Sequence, residues 1–365
     1  MKKTEFDFKN RIKKLRDFLS LDAKEGILFF DLKDIFYFSG FRGSKAFLLI
    51  TGNKEFLITD FRYFEKVEAS NCYGELFKIK SSYYDDTAGL IFSLKLKKII
   101  LDEAKTTCES YNELTSRLPE VSFVFEKNLS GDIRSVKEDT EIEIIKEGAE
   151  KTSKVFETSL SFLKKGITER GFALILEDLL KKEGFETVSF PPIVLFGARA
   201  SMPHGESEEI PLTDNQPVLV DFGGIYKGYC TDFTRTVFFG KPDSSFENIY
   251  SKLLNCQNTV IKKAKAGMKA FQIDAIGREC LDKDSLGEFF KHSLGHGVGL
   301  EIHESPLISP FTDTIIRDGM VFTVEPGVYF ENRFGIRIED MVVVKNGRLN
   351  VLTHFPKELI LIKQE

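Results

Sequence analysis

Five residues of the types that bind hard metal ions stand in separate stretches of the C-terminal half, so any fold that uses them together must bring these stretches to one place. They are Asp221, Asp232, His296, Glu325 and Glu339. Four carboxylates and one imidazole can hold two divalent cations at ~3.5–4 Å, where one water or hydroxide bridges both ions and becomes a nucleophile near neutral pH. The set therefore indicates a dinuclear metallohydrolase.

Length and composition favour a soluble protein of two domains. The chain has 365 residues, and 42% of them are hydrophobic, which is enough to fill two cores. Its formal net charge of −5 gives no broad positive field for nucleic acid or an anionic membrane. No apolar run reaches the roughly 18 residues of a membrane span, and the N-terminus lacks the apolar core of a signal peptide. We expect neither nucleic acid nor membrane as a partner.

The cysteines argue against both a disulfide framework and a thiolate zinc site. There are five of them, scattered and never spaced as C-x-x-C. This usage fits a reducing compartment, and we expect a cytoplasmic protein. Cys230 lies close to Asp232 in the sequence, but hard oxygen sites do not favour thiolate, so we interpret it as a small buried hydrophobic residue.

The first part of the chain predicts an α/β domain. Short apolar runs broken by turns are interpreted as buried strands, namely ILFF, IFYFSGF, KAFLLI and EFLITD. Helices are predicted from Glu5 to residue 19, over 60–69 and around 85–94. The polar stretch KNLSGDIRSVKEDTE then marks a boundary near residue 130, which gives domains 1–130 and 131–365.

Beyond this boundary, helical and strand patterns alternate. Helices are predicted at about 139–163, 169–182, 246–265 and 270–281. Strands are predicted near 188–195 and 217–222, followed by one longer strand over 228–239. The remaining motifs are predicted to lie on strands near the end of the chain.

Strand alternation predicts partners for two of the five candidate ligands. Residues two apart in a strand share a face, so Thr234 shares its face with Asp232 and Arg337 shares its face with Glu339. We expect Thr234 to be a hydroxyl neighbour of a metal or its water. We expect Arg337 to orient the crowded carboxylates and balance their charge.

Histidine usage is the sharpest compositional feature. Four of the five histidines lie in Gly- or Pro-containing motifs, SMPHGES and KHSLGHGVGLEIHESP, and these four are His204, His292, His296 and His303. The intervening glycines argue against a helical zinc motif and favour a loop or strand that allows close backbone approach. One imidazole would then complete the metal set, and the others would face substrate carbonyls. His354 lies outside any motif, and we interpret it as an ordinary core or surface residue.

Together these motifs resemble the pita-bread metallopeptidases of family M24. The segments VDFGGIYKGYCTDFTRT, HSLGHGVGLEIHESP, GMVFTVEPGVYF and IRIED occur in the family order. The segments IFYFSGFRGSKAFLLI and FLITDFRYFEKVEAS are similar to the N-terminal domain of creatinase, prolidase and aminopeptidase P. The resemblance implies an α+β fold: a pita-bread catalytic domain, with a curved antiparallel sheet covered by helices, after a smaller α/β creatinase-like domain. It also implies the Xaa-Pro peptidase branch.

The resemblance assigns the metal ligands and the supporting residues. Asp221, Asp232, His296, Glu325 and Glu339 match the ligands of two divalent ions, with Asp232 and Glu339 bridging. Ligand hardness favours Mn²⁺, and Co²⁺ or Zn²⁺ could substitute. The matching catalytic and supporting positions are His204, His292, His303, Glu325, Tyr329 and Arg337.

The mechanism implied by the resemblance is hydrolysis of the bond before proline. A metal-bridging hydroxide attacks the carbonyl, and Glu325 shuttles the proton toward the leaving nitrogen. His204 and His303 are expected to hold the scissile carbonyl and the oxyanion. His292 is expected near the residue after the cut.

The branch contains two substrate classes. Aminopeptidase P removes Xaa from Xaa-Pro at the start of longer peptides, whereas prolidase accepts the dipeptide and needs a cation that grips its carboxylate. The HESP motif is followed by Leu307 instead of an arginine, which favours the aminopeptidase and keeps the dipeptidase as the alternative. A non-catalytic pita-bread binding protein and a metal-free creatinase-like hydrolase are both disfavoured by the complete ligand set. A homodimer is the family expectation.

Overall fold

The chain divides into two units. The computed structural model describes residues 6–70 and 72–363, so Glu5, where the first predicted helix was expected to begin, lies outside the described residues. One unit extends to Arg134 and the other begins at Ser135. In the described part of the chain, no helix combines the length and the apolar character needed to cross a membrane.

The first unit is built on one mixed sheet. Its described strands are β1 Glu25–Phe29, β2 Phe47–Thr51, β3 Glu55–Thr59, β4 Glu75–Lys78, β5 Lys98–Asp102 and β6 Ser122–Glu126. Its described helices are α1 Phe8–Leu19, α2 Leu32–Ser39, α3 Phe64–Ala69, α4 Tyr83–Ser93, α5 Cys108–Arg117 and the short α6 Gly131–Ser135 at the boundary. The strand order is β4-β3-β2-β1-β5-β6, and only the β1–β2 and β2–β3 pairs are antiparallel. Leu28, Leu49 and Ile58 of the sheet share a core with Ile91 of α4 and Leu114 of α5.

One strand prediction in this unit is wrong, because IFYFSGF does not form a strand. Its first five residues lie in helix α2, whose N-terminal cap is Asp31: the Asp31 carboxylate accepts hydrogen bonds from the backbone N–H groups of Lys33 and Asp34, at 3.1 Å each. Gly40 ends the helix in the left-handed conformation, with φ of 75°. The caps decide the conformation here, since a short apolar run alone does not distinguish a buried helix from a strand.

The second unit combines long helices with short antiparallel strands. Its described α-helices are α7 Asp139–Ser159, α8 Glu169–Lys182, α9 Ser244–Lys263 and α10 Ala270–Lys283. Its first described strands are β7 Thr187–Val188, β8 Ile193–Phe196, β9 Gln216–Phe222, β10 Gly224–Tyr226, β11 Tyr229–Cys230 and β12 Phe233–Phe239. The others are β13 Gly295–Gly297, β14 Glu304–Ile308, β15 Val321–Val324, β16 Gly327–Phe330, β17 Phe334–Arg337, β18 Asp340–Lys345, β19 Arg348–Val351 and β20 Leu361–Ile362. Short 3₁₀ turns occur at Leu160–Phe162, Gly197–Ser201 and Gly287–Phe289.

The strands of this unit form small sheets that meet around the candidate ligands. The orders are β20-β12-β9-β8, β14-β13-β15-β18-β19, β11-β10-β7 and the hairpin β16-β17. Every one of these pairs is antiparallel except β12–β20. A buried cluster packs α9 and α10 on the strands, with Leu253 and Ile273 from the helices meeting Phe322, Ile336 and Val342.

The long strand predicted over 228–239 is interrupted. The chain forms β11, leaves strand geometry at Thr231 and Asp232, and resumes as β12. Thr231 is fully buried, and its hydroxyl bonds Thr152 on α7 and the backbone N–H of Gly224. These tertiary bonds hold the break in place, and the break sets Asp232 immediately before β12 instead of in the middle of a continuous strand.

Candidate metal centre

The ends of several strands bring the five predicted ligands to one cavity. Asp221 lies near the end of β9, Asp232 just before β12 and His296 within β13, while Glu325 follows β15 and Glu339 separates β17 from β18. All five line a cavity of about 1130 Å³. The convergence depends on strand pairing between segments far apart in sequence.

Ligand-type atoms approach each other closely in this cavity. The imidazole Nε2 of His296 lies 3.4 Å from Oδ2 of Asp232 and 3.3 Å from Oε1 of Glu325. Atoms of Asp232, His296 and Glu339 all lie within 4.8 Å of one another, a spacing that one cation could bridge. Asp221 reaches the same cavity from β9.

The ring orientation of His296 suits a metal ligand. Its Nδ1 lies 3.2 Å from the carbonyl oxygen of Gly297. A carbonyl only accepts hydrogen bonds, so Nδ1 carries a proton, and Nε2 is the nitrogen that faces the carboxylates. Histidines that bind metals commonly donate their second N–H to a backbone carbonyl in this way.

The carboxylates of the cluster are poorly solvated and repel one another. Burial, with the charge of Asp221, raises the pKa of Asp232 to about 7. Burial and neighbouring carboxylates also raise the pKa of Asp221 and place that of Glu339 well above its usual range. Burial alone would lower the pKa of His296, but the hydrogen bond with Asp232 and the charge of Glu325 raise it to about 9. A cluster of this kind favours the binding of positive charge.

Two oxygens of the cluster lack a partner. Oδ1 of Asp221 and Oε1 of Glu339 are buried, and neither has a hydrogen-bond partner in the described part of the chain. An unsatisfied buried carboxylate oxygen is costly unless a cation coordinates it. Hard carboxylate oxygens with one imidazole are donors that divalent ions accept, so the residues fit such ions.

Arg337 links the cluster to its surroundings. Its Nη2 lies 2.5 Å from Oδ2 of Asp221, and its Nε donates to Oγ1 of Thr234 at 3.2 Å. The Thr234 hydroxyl in turn donates to Oε2 of Glu339 at 2.6 Å. Arg337 and Thr234, both singled out by strand alternation, therefore contact the candidate ligands directly and compensate part of their charge.

His292 is engaged within the protein. Its Nδ1 lies 2.8 Å from the carbonyl oxygen of Ser293, so Nδ1 carries the proton and Nε2 accepts from the hydroxyl of Tyr329 at 3.0 Å. Nη1 of Arg337 donates to the same hydroxyl at 2.8 Å. Burial lowers the pKa of His292, which favours the neutral ring. His292 therefore lines the cavity with both ring nitrogens already bonded.

The other histidines divide between the cavity and the surface. His303 packs edge-on against His296, with ring centroids 4.3 Å apart, and burial together with the charge of His296 lowers its pKa. His204 is exposed and lines the same cavity from the segment after β8. His354 is exposed and is not among the described residues that line the cavity.

Sequence patterns did not reveal a buried layer behind the ligands. Arg235 is 1% exposed, donates to Oδ1 of Asp340 at 2.8 Å and also bonds the backbone carbonyl of Glu339. The side chain of Gln257 on α9 donates to the carbonyl of Val324 at 3.2 Å. Alternation could place Arg235 on the opposite face from Thr234, but no local signal shows which partner a buried charge will meet.

Comparison with known proteins identifies the family. The family model of metallopeptidase family M24 matches residues 143–346, and that of the creatinase/prolidase N-terminal domain matches residues 11–136. The chain belongs to metallopeptidase family M24. The predicted family resemblance and the α+β fold, with a creatinase-like first domain and a pita-bread second domain, are confirmed.

Relatives of this M24 peptidase cover nearly its whole length. An uncharacterized peptidase of Bacillus subtilis strain 168 is 34% identical over 352 residues, which are 96% of this chain and 100% of the relative. The structure of an Xaa-Pro dipeptidase from Bacillus anthracis is 34% identical, with a TM-score of 0.93 over 97% of this chain and 100% of that chain. The X-Pro aminopeptidase from Thermotoga maritima MSB8 is also 34% identical, with a TM-score of 0.90 over 96% of this chain and 100% of that chain.

Membership of the family confirms that this protein is a peptidase, and it implies divalent metal ions. The donor set, the clustered ligand atoms and the two unpartnered carboxylate oxygens fit such ions. The similarity to both a dipeptidase and an aminopeptidase leaves the length of the substrate open.

Proposed function

We propose that this M24 peptidase is an Xaa-Pro aminopeptidase that works with two divalent cations. The observation that carries the proposal is the convergence of four carboxylates and one imidazole in a single cavity, with two buried carboxylate oxygens left without partners. Similarity to an Xaa-Pro dipeptidase and an X-Pro aminopeptidase supports the choice of the bond before proline.

Asp221, Asp232, His296, Glu325 and Glu339 would hold the cations. When bound, two such ions supply Lewis acidity and lower the pKa of a water nucleophile. Mn²⁺ is the proposed ion, since four of the five donor side chains are carboxylates, and Co²⁺ or Zn²⁺ could replace it.

The chain's own groups would move protons and bind the substrate. Glu325 accepts a hydrogen bond from Oγ1 of Thr323 at 2.8 Å, which fixes one carboxylate oxygen beside His296. This carboxylate would carry the proton to the leaving nitrogen. His303 and His204 border the cavity with ring nitrogens that could donate to the scissile carbonyl and the developing oxyanion.

The cavity favours a peptide longer than two residues. Its volume of about 1130 Å³ exceeds the ~300–1,000 Å³ typical of small-molecule pockets. Among the described residues that line it, the arginines are Arg170 and Arg337, and Arg337 is already bonded to Asp221. Leu307 is 46% exposed and lines the cavity at the position where a prolidase would be expected to carry its arginine clamp. These features support the aminopeptidase.

A dipeptidase is the second candidate. It is favoured by the similarity to the Bacillus anthracis enzyme and by Arg170, whose side chain is 66% exposed and lies 3.9 Å from Glu209. Such a weakly paired arginine could meet a free carboxylate.

Peptide hydrolysis tests both candidates. Protein loaded with Mn²⁺ would be given Xaa-Pro, Xaa-Pro-Yaa-Zaa and Xaa-Ala-Yaa-Zaa, and the products would be identified by mass spectrometry. We expect the first bond of Xaa-Pro-Yaa-Zaa to be cleaved and the alanine peptide to be spared. Cleavage of the dipeptide alone would select the dipeptidase, and a lack of cleavage with metal present would overturn the proposal.

We further propose a cytoplasmic homodimer. The five cysteines are scattered and never spaced as C-x-x-C, as expected in a reducing compartment, and the dimer rests on the family resemblance. Light scattering of the purified protein would test the dimer, and a monomer at working concentration would contradict it. Fractionation of cells would test the location.

A further inference from the structure

One segment of the cavity wall is tied to the start of helix α8. The segment follows β8, and we call residues 197–207 the His204 loop. Five consecutive residues of the loop line the cavity: Pro203, His204, Gly205, Glu206 and Ser207. The loop begins at Gly197 in the left-handed conformation, with φ of 57°, and contains a short 3₁₀ turn. Its placement therefore decides where His204 stands.

The carboxylate of Glu169 bonds the backbone on both sides of this loop. Its Oε1 accepts from the backbone N–H of Phe196 at 2.8 Å, immediately before the loop. Its Oε2 accepts from the backbone N–H of Glu208 at 3.1 Å, immediately after the loop. The Glu169 side chain is fully buried, with 0% of its surface exposed. One acidic group therefore joins both ends of the loop.

Arg199 extends this connection into the loop itself. Its Nε lies 3.1 Å and 3.0 Å from the two carboxylate oxygens of Glu169. Its Nη2 donates to the carbonyl of Glu206 at 2.7 Å, two residues beyond His204. The arginine thus spans the loop and braces the backbone next to His204.

The backbone at the start of α8 completes the attachment. The N–H of Glu169 donates to the carbonyl of Ile210 at 3.1 Å, and the N–H of Arg170 donates to the carbonyl of Glu208 at 2.9 Å. The same helix lines the cavity through Ala173 and Leu174. Helix α8 is thus both a cavity wall and the anchor of the loop.

Burial of Glu169 is unfavourable by itself. Burial raises the pKa of this carboxyl, although the bonds from the backbone and Arg199 oppose the rise. Buried ion pairs seldom add net stability compared with apolar packing, so their stabilising value is a weak reason for placing one here. The bonds lie at both ends of a loop that lines the cavity. Their position indicates that they keep this loop in one conformation.

We propose that Glu169 is a positioning residue for the peptidase reaction: its carboxylate, with Arg199, fixes the His204 loop against α8 and holds His204 at the cavity wall. The proposal rests on the proposed function for its activity readout, but the order of the loop can be measured without any substrate.

The first test compares Glu169→Gln with the wild type and with Glu183→Gln. Glutamine keeps the size but offers one acceptor oxygen where two are used, so it must lose bonds to one end of the loop. We expect kcat/KM for Xaa-Pro-Yaa-Zaa to fall about tenfold or more, as for the loss of a hydrogen bond to a charged group, with bound metal unchanged. Glu183, just after the other end of α8, pairs with Lys154 and does not line the cavity, so its variant should keep wild-type activity.

A double-mutant cycle separates positioning from a general structural effect. If Glu169 acts through His204, the double variant Glu169→Gln, His204→Ala should be about as active as His204→Ala alone. Losses that multiply in the double variant would overturn the proposal. Wild-type activity of His204→Ala, or of Glu169→Gln, would also overturn it.

Amide hydrogen exchange provides the measurement that needs no substrate. The N–H groups of Met202 and Gly205 are bonded within the loop, to the carbonyls of Arg199 and Met202. We expect Glu169→Gln to speed exchange of these amides and to leave the middle of α8 unchanged. Unchanged exchange in the loop, or faster exchange throughout α8, would contradict the proposal.

If Glu169→Gln does not fold, Arg199→Met tests the same connection from the other partner of the ion pair. It should give the same pattern of loop exchange and lowered kcat/KM with metal retained, and wild-type values in both would overturn the proposal. If the wild type cleaves no Xaa-Pro bond, the proposed function fails, while the exchange result still decides whether Glu169 orders the loop.

Discussion

At the scale of single residues, the candidate centre is a set of charges that the protein alone does not balance. Burial raises the pKa of Asp221, Asp232 and Glu339, and Arg337 supplies a positive charge to only one side of the cluster, at Asp221. The partner of Glu339 is the hydroxyl of Thr234, a neutral group. Bound cations would remove this imbalance, which is the physical basis for treating the five residues as one site.

His303 offers a direct test of the catalytic assignment. We expect His303→Ala to lower kcat about 10²–10³-fold, as for removal of one oxyanion donor, with metal content unchanged. Steady-state kinetics and metal analysis of the same preparation would check this. His354→Ala is the matched control, since that histidine is exposed and outside the cavity lining. Normal turnover of His303→Ala would remove this residue from the mechanism.

At the scale of secondary-structure elements, the site depends on how helix α9 holds the ends of strands. The amide Nε2 of Gln257 donates to the carbonyls of Val324 and Ile338, at 3.2 Å and 3.4 Å, each one residue before a candidate ligand. It also lies 3.2 Å from Oδ2 of Asp340. A single buried side chain thus connects α9 to the segments that carry Glu325 and Glu339.

Replacing Gln257 with leucine should destabilise the protein. The side chain is fully buried, so the change removes the hydrogen bonds to the carbonyls of Val324 and Ile338 and should lower the free energy of unfolding by about 1–3 kcal/mol. Chemical denaturation of the metal-free protein would measure this. Asn258→Ala, an exposed amide at the next position of α9, should change stability by less than about 0.5 kcal/mol. Equal stability of the Gln257→Leu variant and the wild type would contradict this role.

In the first unit, Asp60 connects the end of β3 to α4. Oδ2 of Asp60 accepts from the hydroxyl of Tyr83 at 2.7 Å, and Arg62 donates to both carboxylate oxygens at 2.8 Å. The hydrogen bond from Arg62, with that from Tyr83, holds the pKa of Asp60 well below its usual value of 3.8. The contribution of Asp60 to the free energy of unfolding is therefore present above pH 3.8 and is lost as the pH falls through the lowered pKa.

Asp60→Asn should accordingly destabilise the protein at neutral pH by about 1 kcal/mol or less, because solvent screens part of the interaction. The difference in free energy of unfolding between the variant and the wild type should shrink as the pH falls below about 3. Urea denaturation at several pH values would follow it, with Asp17→Asn, exposed on α1, as the control. A difference that grows toward acid pH would contradict the assigned direction of the pKa shift.

At the scale of the whole molecule, sequence motifs singled out residues that meet in one cavity, but they did not predict all of the elements that carry these residues. The five ligand types, Thr234 and Arg337 follow from motifs and strand alternation, which are local rules. The strand predicted at IFYFSGF is a helix because Asp31 and Gly40 cap it, and the strand over 228–239 breaks because buried Thr231 bonds distant groups. Such outcomes depend on tertiary partners that no short window of sequence contains.

For the same reason, sequence patterns did not reveal the buried residues that hold the site in place. Arg235, Gln257 and Glu169 act through bonds to residues tens of positions away, and their own sequence surroundings resemble ordinary strand or helix. The similarity of the chain to M24 enzymes accounts for the fold of each unit, but it leaves the substrate length unspecified.

We propose that these five side chains bind two cations and that the bound cations make the protein a peptidase of the Xaa-Pro bond. The most direct measurement is a titration of the metal-free protein with Mn²⁺, in which bound metal and hydrolysis of Xaa-Pro-Yaa-Zaa are followed together. We expect no hydrolysis without metal, and activity that saturates as the second equivalent binds. Glu339→Gln should weaken binding and abolish turnover in the same assay. Full activity of the metal-free protein, or saturation by metal without hydrolysis, would contradict the account.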